Sequence, residues 1–360
     1  MRYIILLLIS LFVLHAEDNT YELGQGMQIE ELPLYVGGYT SIQYKEDRQS
    51  ETFSLDDVAL MLYGGVGEFS YMTEVEYKDL YVKKSSEFED VQNSDRNLYI
   101  ERLYLDYTNG ENYTLRVGKY NSPIGYWNML PINVLRETTS NPKTTDILYP
   151  QFTTGVGVSY SSYQDAEIKY DLMLQSNRDL DDKYNSYEID RHFGAGITYK
   201  KNDFSIKLNG GYFRQTEQKL QESDRYYLLT GFKYEINKLS LMGEIGTQKS
   251  DTRYTTPYAF YLQTSYTITP KHSLNFRLEG YEDKIMQSSD AHEEQYEDEE
   301  NEDEEDDDNY NDADSITKKD IIGVFGYTYR PSYPIAFKIE YQLHKESVDN
   351  QFLTSFSVLF

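Results

Sequence analysis

From Phe204 to Asn209 the chain alternates oily and polar side chains: Phe204, Ile206 and Leu208 against Ser205, Lys207 and Asn209. Leu274, Phe276 and Leu278 alternate in the same way with Asn275, Arg277 and Glu279. From Ile335 to Leu343, every second residue is again apolar, with Lys338, Glu340 and Gln342 between. Only an extended strand sends successive side chains to opposite faces, so each run reads as a strand with one greasy face. Sixteen such segments can be placed, near 33–45, 53–66, 69–83, 97–108, 113–121, 153–163, 166–177, 187–200, 204–215, 224–235, 239–250, 258–269, 272–284, 320–331, 335–346 and 350–360. One segment alone fits a soluble sheet with a solvated face equally well. Their repetition to the end of the chain favours a sheet closed on itself in lipid.

Composition first looks hostile to a membrane. Mean hydropathy is -0.69, 26% of residues are charged and the formal net charge is -27. No stretch after residue 16 supplies the roughly 20 apolar residues that a spanning helix needs. An all-β, transmembrane antiparallel barrel removes the conflict, because only alternate residues face lipid and the lumen is polar. The 37 Tyr and 16 Phe suit the aromatic girdles of that architecture. Charge on the lipid face would cost about 2–4 kcal/mol per Lys or Arg at the midplane, so the charged set must point into the lumen. Cysteine is absent, so no disulfide contributes. So acidic a chain is a poor partner for nucleic acid.

Residues 1–16 read as a secretory signal peptide: Arg2, an apolar core from Tyr3 to Leu14, and Ala16 at a cleavage point. Residues 17–32 then form an N-terminal periplasmic segment, and 33–360 the barrel. Links after even-numbered segments are tight, such as Gly67-Glu68, Asn109-Gly110-Glu111-Asn112 and Lys201-Asn202-Asp203, and carry hairpin-turn residues. Links after odd-numbered segments are generally longer and polar. One short-turn end and one long-loop end, with both termini at the former, require an even strand number. Sixteen is expected, with fourteen or eighteen if a hairpin is split or merged. A sixteen-stranded barrel is wide enough for an aqueous channel.

The last strand, ending on Phe360, resembles the closing strand of bacterial outer-membrane barrels. The run Arg116-Val117-Gly118-Lys119-Tyr120-Asn121-Ser122-Pro123-Ile124-Gly125-Tyr126-Trp127-Asn128 looks like the strand-end pattern of the bacterial outer-membrane porin family, of the phosphate-selective and siderophore-porin type. Pro123 cannot donate to a ladder, so the strand ends there, and Gly125 permits a sharp turn. The resemblance implies the outer membrane of a diderm bacterium, lipid as a partner, and recognition of the final strand by the outer-membrane assembly machinery. It is compatible with a homotrimer, although no interface pattern is legible. In porins the third external loop folds into the lumen. By resemblance, the link 126–152 is the candidate constriction, with Arg136, Glu137, Lys143 and Asp146 as its charges and Trp127 to stiffen it. A loop that only caps the rim is the bland alternative.

The inferred lumen carries Glu74, Glu76, Lys78, Arg102, Asp106, Arg116, Lys169, Asp171, Lys207, Glu244, Arg277, Glu279, Lys338 and Glu340. Acids and bases are balanced, which argues against a phosphate pore and for opposed charges across a hydrated channel. Residues 290–314 hold sixteen acids and no Lys or Arg, inside an expected disordered external loop at 286–317. That run gathers divalent cations, concentrates cations at the pore mouth, or is a solvated tether. It lacks the spacing of a structured calcium loop. No hydrolase motif is present, and neither an enzyme activity nor a cofactor is expected. His192 or His344 would need a nucleophile beside it to make a site. The expected function is passive diffusion of small hydrophilic solutes or ions. The alternative is a loop-displaying receptor or adhesin without an open channel.

Overall fold

A computed structural model describes residues 21–29, 33–86, 90–93, 98–216, 222–252, 254–286 and 315–360. The expected signal peptide at 1–16 and the acidic run 290–314 lie outside the described residues. Nineteen strands occur among the described residues. They are β1 (Tyr21–Glu22), β2 (Gly26–Ile29), β3 (Leu34–Glu46), β4 (Ser50–Val66), β5 (Phe69–Ser86), β6 (Asp90–Asn93), β7 (Leu98–Asn109), β8 (Tyr113–Asn121), β9 (Phe152–Tyr163) and β10 (Glu167–Gln175), then β11 (Ile189–Lys201), β12 (Phe204–Gln215), β13 (Ser223–Ile236), β14 (Leu239–Ser250), β15 (Thr255–Thr269), β16 (His272–Met286), β17 (Ser315–Tyr329), β18 (Ile335–Leu343) and β19 (Gln351–Leu359).

Sixteen of them close a barrel. Each of β3 to β5 and β7 to β19 pairs antiparallel with its neighbours, and β19 pairs back onto β3 from Phe352↔Glu46 to Leu359↔Tyr39. The closed sheet leaves no free edge in the wall. The remaining three strands are extensions. β6 pairs with β5 beyond the wall, at Val82↔Asn93. β1 and β2 pair with each other, and β2 continues along β3 at Met27↔Val36, where β19 has ended. Part of the expected N-terminal segment therefore belongs to the sheet. A Tyr21 or Met27 with so few neighbours gave no periodic signal.

The faces divide as the alternation demands, but inside out relative to a soluble protein. Leu208, Leu278 and Ile339 are 40–49% exposed on the outer face, whereas their neighbours Arg277 and Lys338 are at most 1% exposed. Outer aromatic pairs gather near both ends. Phe69–Tyr107 (5.2 Å between ring centroids), Phe204–Tyr234 and Tyr329–Phe337 lie at the short-turn end. Phe53–Tyr81 and Tyr212–Tyr226 lie at the long-loop end. Such bands suit the two membrane interfaces.

Candidate functional site

The interior is not an empty tube. The connection from Ser122 to Gln151 leaves β8 and turns into the barrel before rejoining β9. Gly125 makes the entry, at φ +63°. A Cβ there would stand 2.6 Å from a Glu244 carboxylate oxygen, so both conformation and space demand glycine. Three short helices follow: two 3-10 turns, Trp127–Met129 and Asn133–Leu135, and α1 (Lys143–Ile147).

Charged groups of the far wall grip this loop by its backbone. Lys207 Nζ donates to Gly125 O at 2.9 Å, and Glu244 accepts the amides of Tyr126 and Trp127. Glu279 accepts the Lys143 amide at 2.9 Å. Glu340 accepts the Thr139 and Ser140 amides at 2.9 and 3.2 Å. Arg277 donates to Thr138 Oγ1 and Ser140 Oγ at 2.8 and 2.6 Å. Lys338 donates to Asn133 Oδ1 at 2.7 Å. Buried charges persist only when paired or hydrogen-bonded, and here a polar backbone supplies the partners. Apolar clusters complete the seating. Ile124, Leu148 and Tyr149 pack with Met173, Phe213, Tyr227 and Leu229, while Ile132 and Val134 pack with Tyr39, Met61 and Leu359.

Six of the expected lumen residues, Lys207, Glu244, Arg277, Glu279, Lys338 and Glu340, are thus chiefly loop anchors, a correction to their reading as opposed charges along an open channel. The alternation saw their direction but not the loop they meet. Glu74–Arg102, Arg116–Asp106 (2.7 Å) and Lys169–Asp171 (3.0 Å) are ion pairs within the wall. Glu137 turns away from the free space to Ser273 and Arg330. Trp127 is almost fully buried against Met242 and Tyr261, its indole N–H donating to Asn141. Arg136 is held by Leu130 O and Asn141 Oδ1 at 2.6 and 2.7 Å.

A cavity of about 680 Å³ lies between the loop and the β3–β7 wall. Trp127, Arg136, Lys143 and Asp146 border it from the loop. The wall presents Asp56, Asp57, Glu76, Lys78 and Glu101. Only Glu76 and Lys78 were legible by strict alternation. Pairing slips by one residue between Ser41/Ile42 and Asp57/Leu55, and again between Glu74/Val75 and Arg102/Ile100. A third slip, between β4 and β5, coincides with Asp79 at φ +51°. These β-bulges let adjacent residues Asp56 and Asp57, and likewise Glu101 and Arg102, both face inward.

A second inserted segment lies between β10 and β11, where the sequence shows only a polar link. Its 3-10 turn Asp182–Tyr184 braces the same wall. Tyr184 donates to Glu76 and, at 3.3 Å, to Glu101. Lys119 pairs with Asp179 at 3.2 Å, both side chains fully buried. Burial pushes the Tyr184 phenol well above its ordinary value, so it remains a donor. Burial also raises the Asp146 carboxyl, which Lys143 at 3.8 Å partly offsets.

His192 lies buried between Thr153 and Tyr227, and His344 pairs with Asp320 at 2.6 Å. No group of three metal-ligating side chains occurs among the described residues.

Comparisons agree with this architecture. The chain resembles solved barrels that are only 10–11% identical to it, each likeness covering 91% of this chain. They are the trimer form of OmpT from Vibrio cholerae (TM-score 0.57, 99% of that chain), an anion-selective porin from Comamonas acidovorans (0.58, 99%) and Salmonella typhi OmpF (0.55, 97%). No curated protein sequence matches. Residues 38–355 match the family model for beta-barrel porin-2, OmpL-like. That match spans most of the chain and all sixteen wall strands at least in part. The chain therefore belongs to the OmpL-like β-barrel porin family, channel-forming proteins of the bacterial outer membrane.

Proposed function

We propose that this porin carries small hydrophilic solutes or ions passively, through the water-filled space between the inserted loop and the β3–β7 wall. The observation that carries the reading is the cavity of about 680 Å³ with charge on both sides, bounded by a loop fixed at many points. A narrow passage lined with fixed charge selects by size and by electrostatic barrier. The short turns then face the periplasm, with β1 and β2, and the long loops face outward. Arg136, Lys143 and Asp146 act at the constriction against Asp56, Asp57, Glu76 and Glu101. A homotrimer belongs to the same reading, after the trimer form of the Vibrio cholerae OmpT. Nothing in this reading asks for an enzymatic step.

Purified protein in a planar bilayer should give stable single-channel steps, and liposomes containing it should swell in isotonic small sugars. A tight bilayer and unswollen liposomes would instead favour a receptor or adhesin that displays its long loops on a filled barrel.

A further inference from the structure

We propose that β2 is a register stop for barrel closure: it occupies the short-turn part of one β3 edge and so fixes where the last strand must end.

Two segments share that edge. β19 covers it from Glu46 to Tyr39, and Phe360 and Gly38 then exchange both backbone hydrogen bonds at 2.7 Å. β2 takes over at Val36, pairing Met27↔Val36, Gln28↔Tyr35 and Ile29↔Leu34. Only Gly37 separates the two. A Cβ on Gly37 would stand 2.8 Å from Phe360 O and 3.6 Å from Gly26 Cα, so the segments meet almost end to end.

The last strand carries no register of its own. Leu353, Ser355, Ser357 and Leu359 are buried toward the interior, while Phe352, Thr354, Phe356 and Val358 take the other face. A slip by two residues returns every side chain to its own face, so lipid and lumen alone do not forbid it. A slip toward the short-turn end would set Phe360 opposite Val36, whose edge Met27 already holds. It would also alter the stagger of the wall, to which barrel width is tied.

The stop does not need the last strand in order to stand. Tyr63 of β4 donates to Gln25 O, and Tyr71 of β5 donates to Pro33 O at 3.0 Å. The Tyr35 and Tyr63 rings stack with centroids 5.3 Å apart. β2 is thus tied to β3, β4 and β5, its neighbours in the chain, whereas β19 comes from the far end.

The chain has no cysteine, so two introduced thiols report the seam alone. Counting from the bonded pair Gly38 and Phe360, Ser41 and Ser357 form a non-hydrogen-bonded pair, with Cα atoms about 4.5 Å apart. Ser41→Cys with Ser357→Cys should therefore cross-link in the native register. Ser41 and Ser355 are diagonal neighbours about 7–8 Å apart and should cross-link only after a slip by two. By the same alternation, Met27 and Ile29 aim their amides at β3, and Met27→Pro with Ile29→Pro removes both donors. Outer membranes from cells expressing the full chain are oxidised, and the links in heat-modifiable barrels are read on a gel. With β2 intact the Ser41–Ser357 link should dominate. In the double-proline chain the Ser41–Ser355 link should rise by about tenfold, the factor for losing roughly one hydrogen bond of register preference. Gly26→Ala is the milder lesion, because φ is +78° and a Cβ would lie 2.4 Å from Val36 O, and the same link should rise less. Folded barrels of both variants that keep only the Ser41–Ser357 link overturn the proposal. Loss of the barrel in both overturns it too, because closure without a stop should still occur, in mixed registers.

Discussion

The backbone amide of Thr139 donates to Glu340 Oε2 at 2.9 Å, joining a loop tip to a strand two hundred residues further along the chain. Glu340 Oε2 also accepts the Ser140 amide, and Gln342 donates to the other oxygen. The loop is therefore pinned at its middle, where a hairpin of this length would otherwise swing. Glu340→Ala leaves two amides, the Ser140 hydroxyl and the Gln342 side-chain amide short of a partner in a buried place. A buried donor left without its acceptor costs about 1–3 kcal/mol. Single-channel records of the variant should show added current noise and brief closures, with the barrel still folded. A trace as quiet as the parent would show that the loop is held without this contact.

Lys119 and Asp179 test the second inserted segment. Lys119→Ala strands a carboxylate with no exposure, so the folded form should lose about 3–5 kcal/mol. The double change Lys119→Met with Asp179→Asn should recover most of it, because no charge is then left alone. Heat-modified mobility on a gel, read against temperature, measures both. A single variant as stable as the parent argues that water reaches Asp179.

Leu278 and Arg277 are adjacent but face opposite media. Leu278→Arg should destabilise by about 2–4 kcal/mol if its side chain lies near the bilayer midplane. Folding into lipid vesicles under a urea series gives the number. Little or no loss would place Leu278 away from the hydrocarbon.

Gly125→Ala combines a left-handed φ with a 2.6 Å approach to Glu244. Left-handed strain alone is of order 1–3 kcal/mol for a non-glycine residue. The loop entry should shift, and the variant's conductance should change while the barrel still forms. An unaltered conductance would mean that Glu244 can move aside freely.

Asp146 supplies a pH dependence with a definite sign. Burial raises its carboxyl, so on acidification it takes up a proton before an ordinary carboxylate does. One negative charge then leaves the passage, and the ratio of potassium to chloride permeability should fall. Asp146→Asn should begin at the lower ratio near neutral pH and lack that step. Reversal potentials under a salt gradient from pH 7 to pH 4 decide the matter. Identical curves for the two proteins would remove Asp146 from the ion path.

The wall itself was legible because its rule is local. The expected spans 113–121, 204–215 and 239–250 coincide with β8, β12 and β14. Period-two alternation also assigned Arg277, Glu279, Lys338 and Glu340 to the interior face. It failed where a residue is added: Asp56-Asp57 and Glu101-Arg102 are each two charged neighbours in a row, so an extra inward residue leaves no visible break in hydrophobicity. It failed again where partners are distant. Nothing near Lys338 indicates that Asn133 will accept its protons, and nothing near Tyr184 points to Glu76. Those contacts come from loops entering a space that only the closed wall creates.

β19 finds its second neighbour in β3, at opposite ends of the polypeptide. Every other wall pairing joins wall strands that follow one another in the chain, but this seam joins residues more than three hundred positions apart. Translocation and insertion must therefore shelter the exposed margin of β3 until the final segment arrives. A ribosome that stops early would release a sheet with two sticky borders. Degradation of such fragments, rather than their slow repair, is the outcome this topology invites.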